Sequence, residues 1–211
     1  MSFVFGPARR TVPQPSVAAL GMWVFIASEA LFFGALLFAY GVTRWHSPAA
    51  FAAASAKTDF WIGTVNTAVL LTSSACVAMA GDRLRHGTSR AAELWLGGAV
   101  LLGSLFLALK AIEWRSEWTH GLFPGPSWTL DGHPRPAAEL FFAWYFVSTG
   151  LHAVHLAIGI AFAAVLATRL SRASERFEHN ERLHAFGLYW HFVDVVWIVL
   201  YPLIYLVAPR T

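Results

Sequence analysis

Val17-Ala18-Ala19-Leu20-Gly21-Met22-Trp23-Val24-Phe25-Ile26-Ala27-Ser28-Glu29-Ala30-Leu31-Phe32-Phe33-Gly34-Ala35-Leu36-Leu37-Phe38-Ala39-Tyr40-Gly41-Val42 is an apolar run with one charged side chain, Glu29. About 20 apolar residues in a helix cross the hydrocarbon core of a bilayer. No water is available there to satisfy a bare backbone, so the run can cross only as an α-helix. Four more runs of this kind follow at about 60–80, 93–113, 140–166 and 183–207. The fold class is therefore an all-α polytopic membrane bundle of five transmembrane helices. Residues 17–211 form one domain in this reading, behind a tail of residues 1–16. Arg9, Arg10, Pro7, Pro13 and Pro15 suit an irregular surface segment there. The 17–42 run is too long for a signal-peptide core and lacks a small-x-small exit, so it is expected to be retained.

Composition agrees with a bilayer as solvent. Hydrophobic residues make up 57% of the 211 and charged ones 13%, with a mean hydropathy of +0.54, outside the usual range of a water-soluble domain. Five spans leave only short loops and no room for a separate soluble domain. The net charge of +3 comes from dispersed residues, which does not make a nucleic-acid footprint. Cys76 is the single cysteine, so an intrachain disulfide and a CxxC motif are excluded.

Assigning the loops alternately to two sides puts nine arginines on one: Arg9, Arg10, Arg83, Arg85, Arg90, Arg169, Arg172, Arg176 and Arg182. The other side holds Arg44, Lys57, Arg115, Arg135 and Arg210. The positive-inside rule then predicts a cytoplasmic N-terminus and an outside C-terminus. Trp45, Trp61, Trp95, Trp114, Trp118 and Trp128 fall near span ends and read as interfacial anchors. The long loop between Arg115 and Glu139 reads as an ordered cap on the outer face.

Ionisable groups at bilayer depth carry the most information, because each costs at least about 2.5–3.5 kcal/mol to place there. Glu29 sits roughly 18 Å along a helix that starts at Val17. It is expected to face other helices, either as an acid hydrogen-bonded to a neighbour or as a proton or lipid-headgroup contact. His152 and His155 share one helix face at i, i+3 spacing, and His191 and Asp194 do the same on the last span. Counting in from the span ends brings both pairs and Glu29 near the midplane, as a polar layer across three helices. Two histidines and two carboxylates could also serve a metal or a haem, although the pattern of a four-helix di-metal site, a Glu-x-x-His pair from each of two helices plus further glutamates, is absent at that depth. A hydrogen-bonded structural pair is the plainer use of such histidines.

Lys110 and Glu113, also i, i+3, read as a helix-end ion pair with the lysine snorkelling outward. Asn66 and Thr67 can hydrogen-bond between helices, and the glycines of the spans allow close approach. No phosphate loop and no nucleophile beside a base is present. Nothing in the residues makes a complete active site.

Four segments carry a family resemblance. Gly21-Met22-Trp23-Val24-Phe25-Ile26-Ala27-Ser28-Glu29-Ala30-Leu31-Phe32-Phe33 resembles the helix with a mid-membrane glutamate in subunit III of the haem-copper terminal oxidases. Asn66-Thr67-Ala68-Val69-Leu70-Leu71 resembles that family's next helix. Phe146-Val147-Ser148-Thr149-Gly150-Leu151-His152-Ala153-Val154-His155 resembles its two-histidine helix. Tyr189-Trp190-His191-Phe192-Val193-Asp194-Val195-Val196-Trp197 resembles its last. They occur in order and at matching spacing over nearly all of the chain after Ser16.

The resemblance implies an accessory, non-catalytic subunit of an oxidoreductase complex that reduces oxygen to water and pumps protons. It implies no redox centre or metal in this chain, haem and copper in partner subunits, and direct contact with subunit I beside subunit II. The family helices form a V-shaped cleft filled by phospholipid, and Asn66, His152, His155 and Arg169 stand where polar or headgroup contacts are expected. Glu29 inherits the role of the family's carbodiimide-reactive carboxylate. The family sustains proton uptake into subunit I and protects it during turnover. A multi-pass protein of the bacterial inner membrane is implied, of the five-helix type that lacks the two N-terminal helices of longer members. His184 stands where many members have glutamate, and the loop between Arg115 and Glu139 is longer than in the mitochondrial form. Two other readings stay open: a related protein associated with nitric oxide reductase, and an independent membrane haem or metal enzyme using the His layer.

Overall fold

The structure, a computed structural model, describes residues 17–125, 128, 135–170 and 176–208. The expected surface tail, with Arg9 and Arg10, lies outside these, as do Arg172 and Arg210. The described residues form six helices and no strand: α1 (Val17–His46), α2 (Pro48–Ser55), α3 (Phe60–Arg85), α4 (Ser89–Thr119), α5 (Arg135–Leu170) and α6 (Arg176–Tyr205). All but α2 are long and apolar enough to cross a membrane, so the five expected spans are present. α4 and α5 exceed their apolar runs at both ends, and polar residues such as Arg115 and Glu117 continue the last turns of α4.

Local sequence sets where the helices stop. Pro48 starts α2 at a position where its missing N–H is harmless. The Asp59 carboxylate accepts the Ile62 N–H at 3.0 Å and caps α3. Gly87 (φ 79°) and Gly121 (φ 67°) end α3 and α4 in the left-handed region. In each case the two following bonds of a Schellman motif form, as with Leu122 N–H to Glu117 C=O at 3.0 Å and Gly121 N–H to Trp118 C=O at 3.1 Å.

Packing is uneven around the bundle. α3 and α4 run against each other most extensively, α5 and α6 complete the body, and α1 leans chiefly on α6. Aromatic side chains fill the centre, with Phe106, Phe141, Phe142, Tyr145, Trp190, Trp197 and Tyr205 nearly inaccessible. Glycines admit the largest rings: a Cβ on Gly159 would lie 3.1 Å from Trp190, and one on Gly63 would lie 2.9 Å from Tyr205. α2, which hydropathy alone reads as loop, inserts Phe51 between Tyr40 and Phe141 at ring separations of 5.4 and 5.6 Å. At the end of α6, carbonyls left without intrahelical partners are taken up from other helices. Ser55 Oγ donates to Ile204 C=O at 2.6 Å and Tyr40 Oη to Leu203 C=O.

Candidate functional site

Glu29 and His155 meet across α1 and α5. His155 Nε2 lies 3.2 Å from Glu29 Oε2, and both side chains are partly exposed, at 17% and 21%. His155 Nδ1 faces its own helix at Leu151 C=O, 2.9 Å away, which leaves Nε2 as the nitrogen that addresses the carboxylate. Phe33 packs edge-on against the imidazole at 5.4 Å, and Tyr189 Oη donates to His155 C=O at 2.7 Å.

An apolar cleft of about 260 Å³ opens beside this pair between α1, α5 and α6, lined by Met22, Phe25, Ile158, Phe162, Phe186 and Tyr189. Phe25 is one turn from Glu29 and Ile158 about one turn from His155. A carboxylate–imidazole pair at the edge of a greasy groove is amphipathic in the way a lipid is. Arg169, some 21 Å further along α5 from His155 by helical rise, is exposed in the last turn.

His191 and Asp194 belong to a separate contact. Ser74 Oγ of α3 is 2.8 Å from His191 Nδ1, while Asp194 Oδ2 stands 3.9 Å from that nitrogen, beyond hydrogen-bond distance. Asp194 is buried with neither oxygen hydrogen-bonded. Asn66 and His152 are likewise fully buried, and their side-chain polar atoms have no hydrogen-bond partner. His152 instead meets the rings of Phe106 at 5.4 Å and Trp197 at 5.0 Å. Thr67 is the member of the Asn66-Thr67 pair that links helices, accepting Trp197 Nε1–H at 3.0 Å. Among the described residues, no group of three or more His, Cys, Asp or Glu is arranged to hold a metal ion.

Lys110 departs from the expectation. It does not snorkel: it is 1% exposed, as is Glu113. Its ammonium donates to Glu113 Oε2 at 3.0 Å, Tyr145 Oη at 2.8 Å and Tyr205 Oη at 2.6 Å, which uses all three protons. Each tyrosine in turn donates to Glu113 Oε1, at 3.0 and 2.6 Å. The four side chains thus form a closed, neutral ring of bonds joining α4, α5 and α6. Hydropathy shows a charge in a span but not its rotation, so an inward-facing lysine and its distant tyrosines could not be read from i, i+3 spacing. Trp128 departs too, being 9% exposed and packed on Phe142 at 5.7 Å, while Trp45, Trp61 and Trp118 are exposed at span ends as anchors should be.

Comparison with known proteins accounts for almost the whole chain. The family model of cytochrome c oxidase subunit III matches residues 9–208. The chain is 32% identical over 205 residues to cytochrome c oxidase subunit 3 of Cyprinus carpio, covering 92% of this chain and 71% of that one. It is 27% identical over 209 residues to the protein of the same name in Bacillus sp. strain PS3, covering 98% and 94%. Against cytochrome bo(3) ubiquinol oxidase subunit 3 of Pseudomonas aeruginosa it is 26% identical over 190 residues, covering 89% and 84%.

Proposed function

Because the chain belongs to the cytochrome c oxidase subunit III family, we propose that it acts in a haem-copper oxidase as a lipid-holding accessory subunit whose Glu29–His155 pair faces bound phospholipid. It carries no redox chemistry of its own. Haem and copper reside in partner subunits, with subunit I in direct contact, in a bacterial inner membrane with the N-terminus cytoplasmic.

The 3.2 Å Glu29–His155 contact at the rim of the apolar cleft carries this reading. Acyl chains would occupy the groove between Phe25 and Phe162, whose one lining hydroxyl, that of Tyr189, is taken up by His155 C=O, and the carboxylate and imidazole would stand about one helical turn away. A bilayer-depth acid is retained against its cost only with a partner or a use, and His155 is the partner. Its use is to hold lipid in place beside subunit I, and so to sustain proton uptake and protect the catalytic subunit during turnover.

A hydrophobic carbodiimide applied to the purified complex tests the site. Glu29→Gln should leave assembly intact and abolish labelling of this chain. Labelling that survives the substitution would show that another acid reacts. Oxygen consumption by the purified complex separates this reading from association with a nitric oxide reductase.

A further inference from the structure

A second polar site lies at the other end of the bundle, the outer side on the proposed topology. A cavity of about 450 Å³ between the start of α3 and the end of α4 is lined by Lys57, Asp59, Glu113, Ser116, Glu117 and His120. Counting Lys110 behind Glu113, three carboxylates face two ammonium groups and the imidazole of His120, so the carboxylates outnumber the permanently charged cations by one. The two lysines are also committed or remote from the interior. Lys110 gives all three protons to Glu113, Tyr145 and Tyr205, and Lys57 is exposed. Asp59 is engaged at Oδ1 as the cap of α3.

Glu117 holds the imbalance. It is 4% exposed, and neither of its oxygens is hydrogen-bonded, because the neighbouring Tyr145 hydroxyl gives its proton to Glu113. A carboxylate withdrawn from water without a donor is strongly disfavoured, and the group that best relieves it is a cation that also donates hydrogen bonds. The donor set does not suit a bare metal ion, since no three His, Cys, Asp or Glu among the described residues converge on a point. An ammonium or guanidinium group needs only acceptors within reach, which Glu117 supplies. The cavity is open enough to admit a side chain from outside the chain.

We propose that this cavity receives a lysine or arginine side chain of another subunit of the oxidase, with Glu117 as its acceptor. The inference rests on the subunit reading above and goes beyond it, by naming a contact point and the chemistry of the partner residue. Charge complementarity and the depth of Glu117 favour a basic side chain over a neutral one.

The test uses the whole complex in mild detergent, treated with a water-soluble carbodiimide and glycinamide and then analysed by peptide mass spectrometry. The reagent activates a carboxylate; an amine attacks the carbonyl carbon, the amide forms and the reagent leaves as its urea. Expected is a Glu117 joined to a lysine of another subunit. Opposite an arginine, Glu117 instead stays unmodified in the complex and takes up glycinamide once this chain is stripped away. Glu117→Gln removes the cross-link or the protection and lowers retention of the chain in the complex by roughly tenfold. The inference is overturned if Glu117 takes up glycinamide equally in complex and stripped chain, if it joins only its own Lys57, or if the Glu117→Gln chain is retained like the wild type. A chain that fails to co-purify with any haem-bearing subunit would overturn the subunit reading as well, whereas co-purification with freely labelled Glu117 overturns this inference alone.

Discussion

Lys110 Nζ stands 2.6 Å from the hydroxyl of Tyr205, on helices whose contact spans 95 residues of sequence. The same ammonium binds Glu113 and Tyr145, and both tyrosines close back on Glu113. In a low-dielectric interior such a network is strong when complete and unfavourable when one member is lost.

Lys110→Met should therefore destabilise the protein by about 3–5 kcal/mol, because it strands the Glu113 carboxylate. Lys110→Met combined with Glu113→Gln should recover most of that loss. Denaturant titration of the purified complex, followed by release of this chain, measures both; a double variant no better than the single one would refute the network account.

Gly63 and Gly150 should respond oppositely to alanine. A Cβ at Gly63 meets the Tyr205 ring at 2.9 Å, whereas one at Gly150 meets nothing within 4 Å. Gly63→Ala is expected to cost about 1–3 kcal/mol through overpacking, and Gly150→Ala to be neutral or slightly stabilising, since alanine is the better helix former. Thermal release of the subunit would rank the two.

Filling the apolar cleft should displace what occupies it. Ile158→Trp places an indole ring between Phe25 and Phe162, and fewer phospholipids should then co-purify, by native mass spectrometry, with the helices still assembled. An unchanged lipid count would remove the cleft from the account.

Removing the whole chain should leave the initial rate of oxygen reduction mostly intact while activity decays faster during turnover. A decay curve indistinguishable from that of the full complex would count against protection.

The apolar run from Val17 and its four successors were legible because bilayer thickness imposes a length on any crossing helix. Helix ends were not, since the chain continues helical through Arg115 and Glu117 until Gly121 supplies the left-handed turn. α2 is not legible in the sequence because eight residues, five of them alanine, leave no periodic signature, although Pro48 marks its start. Glu29 and His155 were singled out by depth, but depth does not select partners. Their contact is a matter of helix rotation, as is the inward turn of Lys110. Glu117 carried no signal at all: in sequence it is one more acid near a helix end, and only the neighbouring helices enclose it.

The closed ring of bonds at Lys110 ties three helices together near one end of the bundle, while at the other α1 rests on α6 across a groove without polar bonds among its lining residues. The molecule is thus pinned at one edge and compliant at the other, and a thinning or thickening of the surrounding bilayer would be taken up as a splaying of α1 about the Met22–Phe186 groove rather than as distortion of the pinned edge.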